Sequence, residues 1–160
     1  YIPLAQYRKP ADKEAKTPCD IIKQDLSEAT KLRNAFKDPA LLERAIKEDW
    51  DAQKYTQEVN KKVFGPSAKA TESPMWTDPT TCQIKIYWDE KKYKDKGFPE
   101  ASYEADLAHE KVHESNCKKR GNPLQYDADM SFPAKLSQEE VSAYEAKIKY
   151  LETWLKTNCK

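Results

Sequence analysis

The sequence predicts an α+β fold, mainly α, in which long helices and a small β-sheet form one domain. The length of 160 residues is typical of a single domain. Apolar residues recur at helical spacing through most of the chain, and alternation typical of a strand is clearest in CQIKIYW at 82–88. Three glycines in the whole chain argue against a phosphate-binding loop or a dinucleotide-binding fold.

The first 65 residues predict an extended arm followed by a helical hairpin. Residues 1–17 contain two prolines and no sustained period, which indicates the arm. Thr17-Pro18 combines an N-cap with a proline at the first helical position. The helix that follows has the apolar face Ile22, Leu26, Ala29, Leu32 and Phe36. Asp38-Pro39 repeats the signal and opens a longer helix that ends at Gly65, so residues 18–65 predict the hairpin.

Residues 80–160 predict a strand, a motif-bearing helix and a C-terminal helix. Residues 67–81 lack a period and predict a loop before the strand at 82–88, whose Ile84 and Ile86 share one face. Residues 89–100 predict a charged connection, with a short second strand left open. A helix then extends from about Pro99 to Gly121. We expect a loop at 122–135 and a long final helix beginning at Ser137.

The charge balance argues against two classes of partner. Lysine and arginine number 28 and aspartate and glutamate 27, so nothing in the net charge favours nucleic acid or an anionic membrane surface. No apolar run approaches the roughly 20 residues that a membrane-spanning helix needs. We expect a soluble monomer without a membrane span.

The four cysteines favour two disulfide bonds. Their number is even and no CxxC pair occurs among them: they are Cys19, Cys82, Cys117 and Cys159. Disulfides indicate an oxidising compartment, so we expect a secreted or periplasmic protein. Four buried free thiols in a cytosolic protein are the alternative.

Both histidines of the chain lie in one short stretch, AHEKVHESNC at 108–117. His109 and His113 are four positions apart, so on a helix their imidazoles lie on one face, one turn apart. Neutral imidazole nitrogens are zinc ligands, and Glu110 can project beside the metal. The inward-facing apolar positions of this predicted helix are Ala105, Ala108 and Val112.

HEKVH resembles the HExxH signature of the zincin metallopeptidases at every fixed position. The resemblance implies one zincin-like metallopeptidase domain over 1–160 that uses Zn²⁺. It also implies that His109 and His113 bind the ion and that Glu110 takes a proton from the zinc-bound water. The alternative is a solvated, charged helix with two incidental histidines.

The third zinc ligand must be a carboxylate because the chain has no third histidine. The metzincin pattern is excluded, since Asn116 and Lys119 stand where it requires glycine and histidine. EEVSAY at 139–144 resembles the ExxAY pattern of several gluzincin families, which makes Glu140 the ligand.

The position of Glu140 on its predicted helix supports this choice. It continues the core-facing row of Tyr144, Ile148, Leu151 and Leu155, where an unpartnered carboxylate is costly. A capping box of Ser137 and Glu140 is the competing interpretation. The other candidate ligands are Glu139, Asp127 and Asp129.

Three further roles follow from the peptidase hypothesis. Tyr144 is our choice of donor to the oxyanion, ahead of Tyr126 and Arg120. Asp106, one turn before His109, can orient that histidine or be an ordinary surface charge. The strand at 82–88 either pairs with extended substrate or belongs to the core.

The proposed ligands also constrain the disulfide pairing. Cys159 lies 19 positions after Glu140, or about 28 Å along a helix, whereas Cys117 lies one turn after His113. Cys117 and Cys159 therefore should not pair, and we expect Cys82–Cys117 and Cys19–Cys159.

The sequence thus predicts a zinc-dependent peptidase, as a secreted enzyme or the toxin domain of a bacterial effector. Its expected partners are a peptide or protein substrate and an inhibitor or immunity protein. The rival hypothesis is a non-enzymatic helical binding or inhibitor domain stabilised by disulfides. A third hypothesis retains zinc in a structural or inactive site.

Overall fold

The computed structural model describes residues 6–9, 14–15, 17–66, 68 and 73–160. Helices make up 71% of the described residues and two short strands pair there, which confirms the α+β, mainly α class. The elements in chain order are α1 Pro18–Lys37, α2 Pro39–Lys47, α3 Ala52–Phe64, β1 Met75–Asp78, β2 Gln83–Ile86, α4 Glu90–Asp95, α5 Glu100–Arg120, α6 Pro123–Met130 and α7 Pro133–Asn158.

The C-terminal helix α7 is the element around which the other helices pack. It contacts α1, α5, α2, α3 and α6. The main core lies between these helices, and its largest fully buried apolar side chains are Ile22, Phe36, Tyr55, Leu136 and Leu151. A second cluster contains Ile21, Met75, Trp88, Tyr93 and Phe98. Packing against α7 therefore holds the α5 and α7 faces that carry the predicted ligands together.

The start of α1 has the predicted cap, and the arm is described only in part. The Thr17 hydroxyl accepts a hydrogen bond from the Asp20 backbone N–H at 3.1 Å, and Pro18 is the first helical residue. Residues 6–9 form neither helix nor strand. The rest of the predicted arm, residues 1–5, 10–13 and 16, lies outside the described residues.

The predicted long second helix is wrong: α2 and α3 are separate helices. The break falls at Asp49, which adopts a left-handed backbone with φ 54°, and Trp50 N–H bonds back to the Ala45 carbonyl at 2.8 Å. Asp51 then caps α3 by accepting from Lys54 N–H at 2.7 Å. The sequence does indicate this break, because successive apolar residues of the stripe are five positions apart from Trp50 to Tyr55 instead of three or four.

Residues 75–78 form strand β1, where the sequence predicted a loop. The strand predicted at 82–88 is present but shorter, as β2, and the two strands form a β-hairpin. β1 pairs with β2 in antiparallel register, with Thr77 opposite Ile84. On the predicted inward face, Cys82 and Trp88 are buried and Ile84 is half-buried, but Ile86 is 44% exposed. β2 is the more exposed strand because β1 is the one that bonds to α5, through Thr77.

Two short helices were not expected from the sequence. In the predicted connection, α4 forms with Asp89 as its cap instead of a second strand. In the predicted loop at 122–135, α6 begins at Asn122-Pro123, where the Asn122 side chain accepts from the N–H groups of Leu124 and Gln125. This is the same cap and proline signal that opens α1 and α2.

The final helix begins at Pro133, four residues earlier than predicted. Ser137 and Glu140 therefore lie inside α7, and the capping box is excluded. Ser137 instead donates to the Phe36 carbonyl at 2.5 Å, which ties α7 to the end of α1.

The structure forms Cys19–Cys159 and Cys82–Cys117, the pairing expected from the proposed ligands. The first bond joins the start of α1 to the end of α7, and the second joins the hairpin to α5. Across the described residues, no helix has the length and apolar character of a membrane span.

Candidate metal centre

The predicted ligands converge at the contact between α5 and α7. His109 Nε2 lies 3.2 Å from His113 Nε2. Glu140 Oε1 lies 3.2 Å from the first of these nitrogens and 2.6 Å from the second. The two histidines are 0% exposed and Glu140 is 2% exposed. One helical turn places the histidines side by side, and the core-facing row of α7 brings the carboxylate to them.

The separations of the three donor atoms suit a tetrahedral zinc ion. Zinc bonds of about 2.0–2.1 Å place tetrahedral ligand atoms about 3.3 Å apart. Two of the observed separations are 3.2 Å, and the third, between His113 and Glu140, is shorter. Two imidazole nitrogens and one carboxylate form a ligand set that catalytic zinc sites use.

The hydrogen bonds around His113 also fit a cation. Its Nδ1 lies 2.7 Å from Glu139 Oε2, so Nδ1–H donates to that carboxylate. In the neutral ring, Nε2 then turns a lone pair toward Glu140 Oε1. Glu140 Oε1 faces both Nε2 atoms, so a cation held by these three atoms would take the place of the proton between them. Within the described part of the chain, His109 Nδ1 is buried without a hydrogen-bond partner, an uncommon state for a polar atom.

Glu139 supports His113 from the side opposite the three converging atoms. It accepts from His113 Nδ1, and the Tyr126 hydroxyl donates a very short hydrogen bond to the same oxygen. Burial and the nearby Glu139 raise the Tyr126 pKa, so the phenol remains a donor. A carboxylate bonded to one ring nitrogen fixes the orientation of the ring, and this leaves the other nitrogen, Nε2, facing Glu140. Metal-binding histidines are commonly held in this way.

The other candidate ligands lie elsewhere. Asp127 is exposed on α6. Asp129 binds Arg120 and Lys135, each at 2.9 Å, on the surface. The described residues that bring ligand atoms together in a buried position are His109, His113 and Glu140.

Glu110 lies beside the three converging atoms and is fully buried. Its Oε2 is 3.9 Å from His109 Nε2. Oε2 accepts from Gln6 Nε2 at 2.5 Å, and Oε1 accepts from Thr77 Oγ1 at 3.0 Å. Both carboxylate oxygens are therefore oriented by neutral donors, one on the N-terminal segment and one on β1.

Of the three candidate oxyanion donors, Tyr144 is the one beside a proposed ligand. Its ring centroid lies 4.3 Å from that of His109 and 6.0 Å from that of Phe36. The alternatives have other partners, since Tyr126 donates to Glu139 and Arg120 pairs with Asp129.

The suggested role of Asp106 in orienting His109 is wrong. Asp106 Oδ2 accepts from Arg8 Nε at 3.0 Å and from the Tyr93 hydroxyl at 2.5 Å. Its Oδ1 lies 2.6 Å from Lys147 Nζ. Burial acts to raise the Asp106 pKa, but Arg8 and Lys147 outweigh it and lower the pKa to about 2. Asp106 is neither a surface charge nor a partner of His109.

Burial and neighbouring charges set the pKa values at the site. Burial lowers the pKa of His109 to about 4 and raises that of Glu110 to about 8. Burial also disfavours charge on Glu140, but His113 and His109 outweigh it and lower its pKa to about 2. For His113, Glu140 and Glu139 overcome burial and raise the pKa well above its ordinary value. Without metal, a protonated His113 therefore faces the Glu140 carboxylate, and a bound cation replaces that proton.

Four contributors were missed from the sequence: Gln6 and Thr77, which donate to Glu110, and Arg8 and Lys147, which pair with Asp106. Glu139 and Glu140 were both considered as ligands. The sequence did not predict that Glu139 accepts from His113 Nδ1 while Glu140 faces the two Nε2 atoms. Gln6 carries no signal in the sequence, because its contact with Glu110 joins residues 104 positions apart.

Comparisons of this chain with protein-family models, with curated proteins and with solved structures gave no match.

Proposed function

We propose that this protein is a zinc-dependent peptidase of the gluzincin type. The observation that carries the proposal is the convergence of His109, His113 and Glu140 beside the buried carboxylate of Glu110. In such a site, His109, His113 and Glu140 would hold zinc, which polarises a carbonyl group and acidifies water.

The residues of the chain supply the remaining functions. Glu110 takes the proton of the attacking water and passes it to the leaving amine, which is why its two oxygens need fixed directions. Thr77 provides one of these fixed contacts. Glu139 and Tyr126 keep the His113 ring in place. Tyr144, packed on His109, is the proposed donor to the oxyanion.

The two disulfides support a proposal for location and partners. We assign the enzyme to an oxidising compartment, as a secreted or periplasmic protein or as the toxin domain of a bacterial effector. Its substrate is a peptide or protein, and a toxin of this kind requires an inhibitor or immunity protein in the producing cell.

The first test is metal content, measured by elemental analysis after zinc loading and dialysis against a weak chelator. We expect near-stoichiometric zinc in the wild type and in Glu145→Ala, an exposed carboxylate on the same helix. Glu140→Ala should retain much less. Equal zinc in Glu140→Ala and the wild type would contradict the ligand assignment.

The second test separates zinc binding from catalysis. Glu110→Gln should bind zinc like the wild type and lose about 10²- to 10⁴-fold in peptide hydrolysis, the range for a general base. Glu114→Gln is the matched control, because Glu114 lies one turn further along α5 and pairs with Lys118 at the surface. Hydrolysis by Glu110→Gln at the wild-type rate would exclude Glu110 as the base.

The complete burial of the ligands favours a second candidate, a structural zinc site in a helical binding domain. Structural sites are closed, whereas catalytic sites leave a position for water and substrate. Stoichiometric zinc with no hydrolysis of any peptide in a broad library, by wild type and Glu110→Gln alike, would favour this candidate.

A further inference from the structure

The segment of residues 6–9 covers the candidate site and alternates in burial. Gln6 and Arg8 are buried, whereas Tyr7 and Lys9 are half-buried. Such alternation is typical of an extended peptide whose every second side chain enters a surface. Tyr7 packs its ring edge-on to Phe64 of α3, with centroids 4.8 Å apart.

Gln6 presents an amide group to the proposed general base. Its Nε2 donates to Glu110 Oε2 at 2.5 Å, and its Oε1 accepts from Lys147 Nζ at 3.3 Å. The Ser73 hydroxyl, just before β1, lies 3.3 Å from the Gln6 backbone carbonyl and 2.9 Å from that of Met75. A side-chain carboxamide has the same functional group as a peptide bond, so this contact mimics an amide bound at Glu110.

Arg8 fills a pocket built for a guanidinium group. Its Nη1 lies 2.8 Å from Asp25 Oδ1, and its Nε donates to Asp106 Oδ2 at 3.0 Å. The guanidinium carbon lies 4.5 Å from the centre of the Phe98 ring and 5.5 Å from that of Tyr93. Two carboxylates and two aromatic faces are the features that favour arginine over other side chains.

The charges of the pocket call for a cationic occupant. Asp25 and Asp106 are buried, and they are balanced by Arg8 together with Lys147. Removal of the Arg8 side chain leaves one buried negative charge in excess, which is costly unless another cation enters.

We infer that residues 6–9 occupy a peptide-binding groove, and that this groove selects an arginine two positions after the residue that meets Glu110. The inference rests on the proposed function only where it assigns the groove to the substrate of the peptidase. Main-chain and pocket contacts of this kind are how proteins recognise extended peptides. The N-terminal segment then competes with substrate for the groove.

The test measures binding of a fluorescent peptide, AQYRKP with blocked ends, to the full-length protein. Arg8→Ala vacates the pocket, so it should bind this peptide at least about tenfold more tightly than the wild type, whose groove is filled. The same peptide with alanine in place of arginine should bind neither protein. Arg33→Ala, which removes a surface arginine bonded to its neighbour Asn34, should behave like the wild type.

Folding of each variant is checked by near-ultraviolet circular dichroism. A folded Arg8→Ala protein that binds both peptides equally, or neither, would overturn the inference. If Arg8→Ala does not fold, Arg8→Lys replaces it: lysine keeps the charge but loses the planar fork, so binding should be intermediate. Arg8→Lys that binds no better than the wild type would overturn the inference.

Hydrolysis separates this inference from the proposed function, because peptide binding in the pocket needs no zinc. Cleavage of AQYRKP by zinc-loaded Arg8→Ala, and not by the metal-free protein, would support both proposals. Arginine-dependent binding without cleavage would support the groove and contradict the peptidase.

Discussion

Helix α5 carries two buried polar clusters, about two turns apart, whose charges are balanced to different degrees. Around Asp106, two carboxylates meet two permanent cations, so the cluster is complete within the chain. Around His113, the carboxylates of Glu139 and Glu140 meet two imidazoles, and no lysine or arginine pairs with them in the part of the chain that the structure describes. Buried carboxylates therefore support the proposal of a metal site only where the chain does not itself supply the cations.

The largest expected effect is the loss of stability when the complete cluster is broken. Asp106→Asn removes the negative charge that pairs with Lys147 and, together with Asp25, with Arg8. Because buried positive charge is then left unbalanced, we expect a loss of about 3–5 kcal/mol in the free energy of unfolding. Urea denaturation measures it, with Asp95→Asn on the exposed end of α4 as control. A loss below about 1 kcal/mol would show that the cluster contributes little.

The incomplete cluster should instead be stabilised by an added cation. Free zinc at about 100 times its dissociation constant should raise the unfolding free energy by about 2.7 kcal/mol. Glu140→Ala should lose this gain, whereas Glu145→Ala should keep it. The measurement is thermal or urea unfolding with and without zinc, and an equal gain in all three proteins would contradict the comparison.

The stability of the folded protein in acid should report the lowered pKa of Asp106. Its pKa is about 2 in the folded protein against an ordinary value of 3.8. Because folding lowers its pKa, the Asp106 carboxyl stabilises the folded protein at pH values above 3.8. This contribution is lost as the pH falls toward 2. The lost stability is about 2 kcal/mol. The unfolding free energies of chelator-treated wild type and Asp106→Asn, plotted against pH, should converge as the pH falls from 3.8 toward 2. Parallel plots would contradict the assignment.

The smallest expected effects concern the support of His113. Glu139→Gln should weaken zinc binding about 10- to 100-fold, as measured by competition with a chromogenic chelator. Tyr126→Phe removes only the hydrogen bond to Glu139, so it should cost about 1 kcal/mol of zinc-binding free energy. Glu145→Gln is the control. Unchanged affinity in Glu139→Gln would mean that the ring needs no such support.

Local signals accounted for much of the secondary structure. Thr17-Pro18 and Asp38-Pro39 both open helices where predicted. The break between α2 and α3 was missed because apolar residues continue across it, and only the five-residue step from Trp50 to Tyr55 marks it. β1 was missed because residues 67–81 show no period and therefore indicated a loop.

The candidate site was predicted to a similar extent. The side-by-side placement of His109 and His113 follows from helical spacing. Glu140 was chosen from the resemblance of EEVSAY to the ExxAY pattern, and its place on the core-facing row of α7 supported that choice. Both arguments concern single helices, whose geometry is regular enough to extrapolate. The roles of Glu139 and Asp106 were not predictable in this way, because each depends on which neighbouring element lies beside it.

The sequence by itself determined the helical class and the HEKVH spacing, since these depend on contacts within a turn or two of one helix. The disulfide pairing was expected only with the help of the ligand hypothesis, because each bond joins different elements. Tertiary structure alone decided that Gln6 meets Glu110, that Arg8 enters a pocket of two carboxylates and that Glu139 supports His113. These contacts join residues far apart in the chain, where only the packing of α1, α5 and α7 determines which buried charges meet.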